Sequence, residues 1–157
     1  MRVVGLLLLG IILPLLAATA PAAGDTVLPG TEIRKTNFSF QDLRNRLDAA
    51  IEKNKVYVVS RASASAGAKH RGIEIPGNMV VGVYRNDFAV RMLAASVAAG
   101  VEAPLRFYLT ENADGTATLS YRKPSAVFGP YGSKPLDELA KELDVLWAKI
   151  AADAVGR

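Results

Sequence analysis

Apolar residues fall into two regimes along this chain. From Val3 to Leu16 they run unbroken, and from residue 32 onward they return only at regular spacings separated by polar positions. The periodic part predicts a series of elements. Residues 32–37 predict a first strand, ended by Ser39, which stands three residues before Asp42 in the manner of a capping box. Phe40, Leu43, Leu47, Ala50 and Ile51 then recur at helical spacing and predict an amphipathic helix over 40–53, with its arginines outward and Asn54 as a left-handed stop. Residues 55–61 are β-branched and aromatic and predict a second strand. The alanine-, serine- and glycine-rich stretch 62–72 is compatible with a short helix or a loop.

The continuous apolar run 79–84 predicts a third, central strand. Asn86 or Asp87 is expected to cap a second helix over 88–99, with Phe88, Met92, Leu93 and Val97 pointing one way and Gly100 ending it. Strands over 105–111 and 116–121 flank Asn112-Ala-Asp-Gly115, the strongest hairpin signal in the chain. Residues 123–135 read as a Pro/Gly/aromatic loop. Leu136, Leu139, Leu143, Leu146 and Ile150 place a last helix up to about Ala154. The order strand, helix, strand, strand, helix, strand, strand, helix predicts one α+β domain, a largely antiparallel sheet with helices covering one face.

The unbroken run has a different meaning. Arg2, the apolar stretch 3–16 and the small-residue succession Ala20-Pro21-Ala22 have the layout of a cleaved export signal, which places the mature start near Ala23 or Gly24. The expected organisation is a signal peptide at 1–22, a leader at 23–31 and the α+β domain at 32–154, in a periplasmic or secreted protein of the bacterial envelope. An uncleaved anchor over 3–23 is the alternative; Pro14 and Pro21 interrupt the run, and a spanning helix needs about 20 apolar residues. After cleavage no stable membrane span is expected.

Charge and cysteine content narrow the chemistry. The chain carries a net charge of +4. Loss of Arg2 and of no acid leaves 18 basic against 15 acidic residues, spread out rather than gathered into a basic stripe, so nucleic acid is not an expected partner. With no cysteine there is no disulfide, thiolate chemistry, iron–sulfur cluster or covalent haem attachment. His70 is the single histidine, too few nitrogen ligands for a zinc or copper site, and no cofactor is expected. Asn112, Asp114 and Gly115 look superficially like a calcium loop, but Thr110 and Tyr121 stand where its first and closing acids belong. No serine lies in a nucleophile-elbow or Ser-x-x-Lys setting, and neither Gly-x-Gly-x-x-Gly nor a Walker lysine occurs.

One constellation remains. Arg85, Asn86 and Asp87 at a strand-to-helix junction, with Tyr121 and Arg122 at the end of the hairpin and Tyr131 beyond it, have the makings of a small-anion site, because guanidinium forks and free backbone N–H groups both favour carboxylate or phosphate. The competing structural explanation pairs Asp87 with Arg91 and uses Asn86 as a helix cap.

Residues 66–76 (Ala-Gly-Ala-Lys-His-Arg-Gly-Ile-Glu-Ile-Pro), Tyr84-Arg-Asn86, Ala103-Pro104-Leu-Arg-Phe-Tyr108 and Asp114-Gly-Thr-Ala-Thr-Leu-Ser-Tyr121 resemble, in order and spacing, the DUF302 family over roughly residues 37–131. The resemblance implies a small α+β domain, often exported and prone to dimerise, with no general activity assigned. The chain departs from the commoner family pattern at Ala62-Ser63, at Arg85-Asn86-Asp87 and at Glu102-Ala103-Pro104, which suggests a distinct subgroup. The expected function is therefore an exported, non-enzymatic domain that binds a small, anionic ligand or a protein partner as a homodimer. An envelope enzyme of unknown class and a structural envelope protein are the second and third readings.

Overall fold

The computed structural model describes residues 27–156. The expected export signal and the first part of the expected leader lie outside the described residues. Five strands form one sheet: β1 (Thr31–Ser39), β2 (Tyr57–Ala62), β3 (Asn78–Tyr84), β4 (Leu105–Glu111) and β5 (Thr116–Arg122). Their order is β1-β5-β4-β3-β2, and every neighbouring pair is antiparallel. Helix α1 (Phe40–Lys53) therefore carries the chain from one edge of the sheet to the other. The remaining helices are α2 (Ala64–Lys69), α3 (Asn86–Ala95), α4 (Pro124–Phe128) and α5 (Lys134–Val155), with 3-10 turns at Ala98–Glu102 and Gly129–Tyr131.

Strand alternation gives the sheet two unlike faces. Val81 and Val83, Phe107 and Leu109, and Ala117, Leu119 and Tyr121 point to one side and are buried. Against them pack Leu43, Leu47 and Ile51 of α1 and Leu136, Leu139, Leu143, Trp147 and Ile150 of α5. The other side carries Arg106 and Tyr108, Ser120 and Arg122, and Ile33 and Lys35, all exposed or half-buried. Among the described residues the buried faces of α1 and α5 pack on the opposite side, and Val127 of α4 and Glu102 of the 3-10 turn reach the rim of this one. A single α+β domain with an antiparallel sheet and helices is thus present as the residue pattern predicts.

Local chemistry explains the boundaries. Ser39 begins α1 by accepting from the Asp42 N–H at 3.1 Å and donating its hydroxyl to Asp42 Oδ2 at 2.7 Å. The stretch 62–72 resolves as α2, started by Ser63 Oγ, which accepts from Ala66 N–H. The hairpin turn forms at Asn112–Gly115, where Gly115 takes φ 79° and Asp114 Oδ1 accepts from both the N–H and the hydroxyl of Thr116.

Four expectations need correction. The left-handed residue after α1 is Lys55, at φ 56°, and not Asn54. Asn54 is buried and uses its amide instead, donating to Ala50 O and to Asp153 Oδ2, both at 2.8 Å, which ties α1 to α5. Helix α3 starts at Asn86, so neither Asn86 nor Asp87 is its cap; Arg85 holds that position without a side-chain cap bond. The same helix ends at Ala95, because Ser96 turns extended at φ −163°, which leaves Val97 outside it and exposed; Leu93, within the helix, is exposed too and does not share the buried face of Phe88 and Met92. Finally, residues 123–135 are not a plain loop. Pro124 opens α4, whose Ser125 N–H and hydroxyl are both taken by Asp144 of α5, at 2.9 and 2.6 Å.

Candidate functional site

The ends of β3 and β5 run in the same direction on either side of β4, so Arg85 and Arg122 emerge at the same end of the sheet. Alternation then separates them. Arg85 lies on the helix-covered side, its guanidinium carbon 3.8 Å from the centre of the buried Phe88 ring. It also forms a two-pronged contact with Asp87, Nε to Oδ1 at 2.7 Å and NH2 to Oδ2 at 2.9 Å. That hydrogen bond and the adjacent positive charge hold the Asp87 carboxyl below the usual aspartate value. Asp87 thus pairs with Arg85, while Arg91 reaches across to Glu142 of α5 at 2.7 Å instead of to Asp87. Asn86 is exposed and accepts a long bond, 3.5 Å, from the Tyr84 hydroxyl.

Arg122 lies on the open side, where the register Thr31↔Arg122 sets it beside β1. The register Phe107↔Tyr121, continued by one position, sets Arg106 directly opposite Arg122 on the neighbouring strand. Both arginines line one groove of about 360 Å³, together with Thr31, Tyr108, Ser120 and Glu102. Arg122 donates to Ala126 O at 3.2 Å, and among the described residues neither arginine has a carboxylate within ion-pair distance. Gly82, paired with Arg106, is closed in by Ser60 Oγ and by Pro104 Cγ, and a Cβ there would collide with both.

The other two predicted residues support this groove without sharing one role. Tyr131 donates its hydroxyl to Glu102 Oε1 at 2.9 Å, a bond that raises the phenol above its ordinary value and anchors the 3-10 turn beside the groove. Tyr121 is buried, edge-on to Phe107 at 5.3 Å, and burial pushes its phenol up. It also borders the groove. The six predicted residues are therefore not one cluster: Arg85 and buried Tyr121 lie on the helix-covered side with Asn86 and Asp87 in the helix that follows Arg85, Arg122 lies on the open side, and Tyr131 stands in the 3-10 turn bonded to Glu102. Arg106 was missed.

Like charges facing each other across adjacent strands repel, by roughly 0.2–1 kcal/mol relative to a neutral pair. The pair has no carboxylate within ion-pair distance among the described residues, and although Glu102 also lines the groove, with Oε1 accepting from Tyr131, two guanidinium planes beside three hydroxyl-bearing side chains supply up to four directed N–H donors to carboxylate or phosphate oxygens. Among the described residues no group of three or more His, Cys, Asp and Glu side chains gathers as a metal site, and His70 is exposed at the end of α2.

A helix-backed, five-stranded antiparallel sheet with a basic groove on its bare face defines a small α+β domain. Residues 32–153 match the family described as domain of unknown function DUF302, and the chain belongs to that family. Its fold is similar to the crystal structure of an uncharacterized conserved DUF302 protein from Bacillus stearothermophilus, with a TM-score of 0.70 at 16% sequence identity, over 82% of this chain and 98% of that one. No curated protein matches the chain.

Proposed function

We propose that this domain is an exported, non-enzymatic binding module for a small carboxylate- or phosphate-bearing molecule, held in the open-face groove between Arg106 and Arg122. The observation that supports it is the facing pair of arginines with no carboxylate within ion-pair distance among the described residues, in a groove of about 360 Å³ whose one acid, Glu102, is bonded to Tyr131. Thr31, Tyr108 and Ser120 add hydroxyls that bond the remaining anion oxygens. Export rests on the signal-like succession of residues 1–22, and a homodimer on the resemblance to the family.

Calorimetric titration of the protein with succinate and with inorganic phosphate tests the site. Saturable binding of either, lost in Arg106→Gln and in Arg122→Gln, is the expected result; no saturable heat with either anion would overturn it. Native mass spectrometry of protein purified from its own envelope reports dimerisation and any retained ligand in one measurement.

A further inference from the structure

Gly30 packs so closely on α4 that a Cβ there would collide with the Ala126 side chain, and its carbonyl accepts from the Lys123 N–H at 2.8 Å. The Thr31 N–H closes the turn on Leu28 O at 3.1 Å. Residues 28–31 are thereby pinned against the start of α4, and Leu28, 56% exposed, is held as part of the wall of the arginine groove. Arg122 donates one N–H to Ala126 O, which puts its guanidinium at this same corner, one residue from Val127. Being exposed, it keeps its other donors for a ligand.

Polar groups account for only part of the groove. Val80, Leu105 and Val127, all half-buried, line it together with Leu28. Val80 stands opposite Tyr108 in the register, on the same face as the arginines. A phosphate ion takes the place of about three waters, at about 30 Å³ each, and leaves most of the groove of about 360 Å³ unfilled. The remainder has room for about eight or nine groups of that size, and a methylene is one. Hydrocarbon suits it, because removing apolar surface from water is favourable in proportion to the area covered. Glu102 is the acid of the lining, so a second negative charge on the ligand, away from the arginines, is opposed.

We infer that the groove takes an amphipathic monoanion, a monocarboxylate with an apolar chain of about eight carbons. Its carboxylate lies between Arg106 and Arg122 and its chain runs along Leu28, Val80 and Val127. This rests on the anion-groove reading and adds to it the class of ligand. An apolar wall with a few polar groups that fix orientation is the usual form of a small-molecule site.

Calorimetric titration with butyrate, hexanoate and octanoate, beside inorganic phosphate and 1-octanol, tests the class. Affinity is expected to rise about two- to fourfold with each added methylene, the factor that covering such a group supplies. 1-Octanol, with the same chain and no charge, is expected to bind at least about tenfold more weakly than octanoate, and Arg122→Gln to remove that advantage. Leu28 lies outside the buried core, so Leu28→Ser is expected to fold and to cut octanoate affinity about three- to tenfold relative to phosphate. Phosphate binding with carboxylate affinities independent of chain length would overturn the inference and leave the anion groove standing. Absence of binding by phosphate and by every carboxylate would overturn both. Octanoate affinity unchanged in Arg106→Gln and in Arg122→Gln would also overturn the inference, since hydrocarbon alone would then be what binds.

Discussion

Phe107 of the central strand and Trp147 of the last helix stack with ring centres 5.9 Å apart and planes 9° from parallel. Tyr121 meets the same phenylalanine edge-on, so one aromatic step joins two strands to α5. The contact explains how a single long helix, running from Lys134 to Val155, is fixed over the middle of the sheet.

Leu143 sits one turn before Trp147, 4% exposed, on the same packed side of α5. Leu143→Ala is expected to destabilise the domain by about 2–5 kcal/mol, the range for removing a buried leucine side chain where the cavity cannot collapse. Denaturant unfolding followed by the single tryptophan measures this directly. A change within error of zero would mean that α5 is not held on the sheet.

Arg122 and Arg85 should behave differently although they leave the same end of the sheet. Arg122→Gln removes a like-charge opposition with Arg106, so stability is expected to hold or rise slightly while anion binding is lost. Arg122→Lys keeps the charge without the planar fork and should weaken binding too. Arg85→Gln should leave anion binding intact, because Arg85 serves Asp87 and Phe88 on the helix side. Titration of the three variants with phosphate separates these outcomes; loss of binding in Arg85→Gln would mean that the two arginines cooperate after all.

The architecture was legible where one signal acted locally. Ser39 before a helical period, Asn112–Gly115 between two alternating runs, and the spacing of Leu136 through Ile150 each specify an element from neighbouring residues alone. Helix α4 was not legible, because its first turn is completed by Asp144, nineteen positions on in α5, and no local pattern announces such a partner. Val97 continued a helical period past the point where Ser96 breaks the backbone, and Leu93, inside the helix, faces away from its buried side. The periodicity was real and the helix was shorter.

For the site, the error was one of faces. Counting from the hairpin turn, the register that pairs Phe107 with Tyr121 also opposes Arg106 and Arg122, and that much was available in the sequence. Arg85 was grouped with Arg122 because both follow a strand end, whereas alternation from buried Val83 and from buried Tyr121 sends them to opposite sides. The Trp147 indole N–H, buried without a partner among the described residues, had no sequence signal, since it depends on what distant elements fail to place beside it.

Lys55 is a lysine at φ 56°, a left-handed conformation that costs an L-residue with a Cβ about 1–2 kcal/mol. Lys55→Gly should therefore stabilise the domain by up to about 1 kcal/mol, the gain being reduced by glycine's larger entropy when unfolded. Asn54→Ala should act in the opposite direction, by about 1–3 kcal/mol, because it leaves Ala50 O and Asp153 without the amide that joins them. Paired urea melts of the two variants check the signs. A destabilised Lys55→Gly would mean that the lysine side chain contributes more than its backbone costs.

Acid should unfold the domain through its surface carboxylates. Hydrogen bonds from Lys123 to Glu32, from Arg91 to Glu142 and from Lys53 and Asn54 to Asp153 hold all three folded carboxyls below their ordinary values of 4.5 for glutamate and 3.8 for aspartate. In the unfolded chain these groups take up protons at the ordinary values, so the unfolded state binds more protons in that range and stability falls as pH falls. The contribution is complete above the ordinary values and is lost as pH drops through the lowered folded ones. Because each pair is largely exposed, solvent screens it and each supplies only a small share. Urea midpoints are thus expected to be level from about pH 7 to about pH 5 and to decline below that. Glu32→Gln combined with Glu142→Gln should lower the plateau and flatten the decline, since two of the titrating partners are gone. High salt should have the same flattening effect on the wild type. A double variant with an unchanged acid profile would show that these ion pairs do not set the acid limit of the fold.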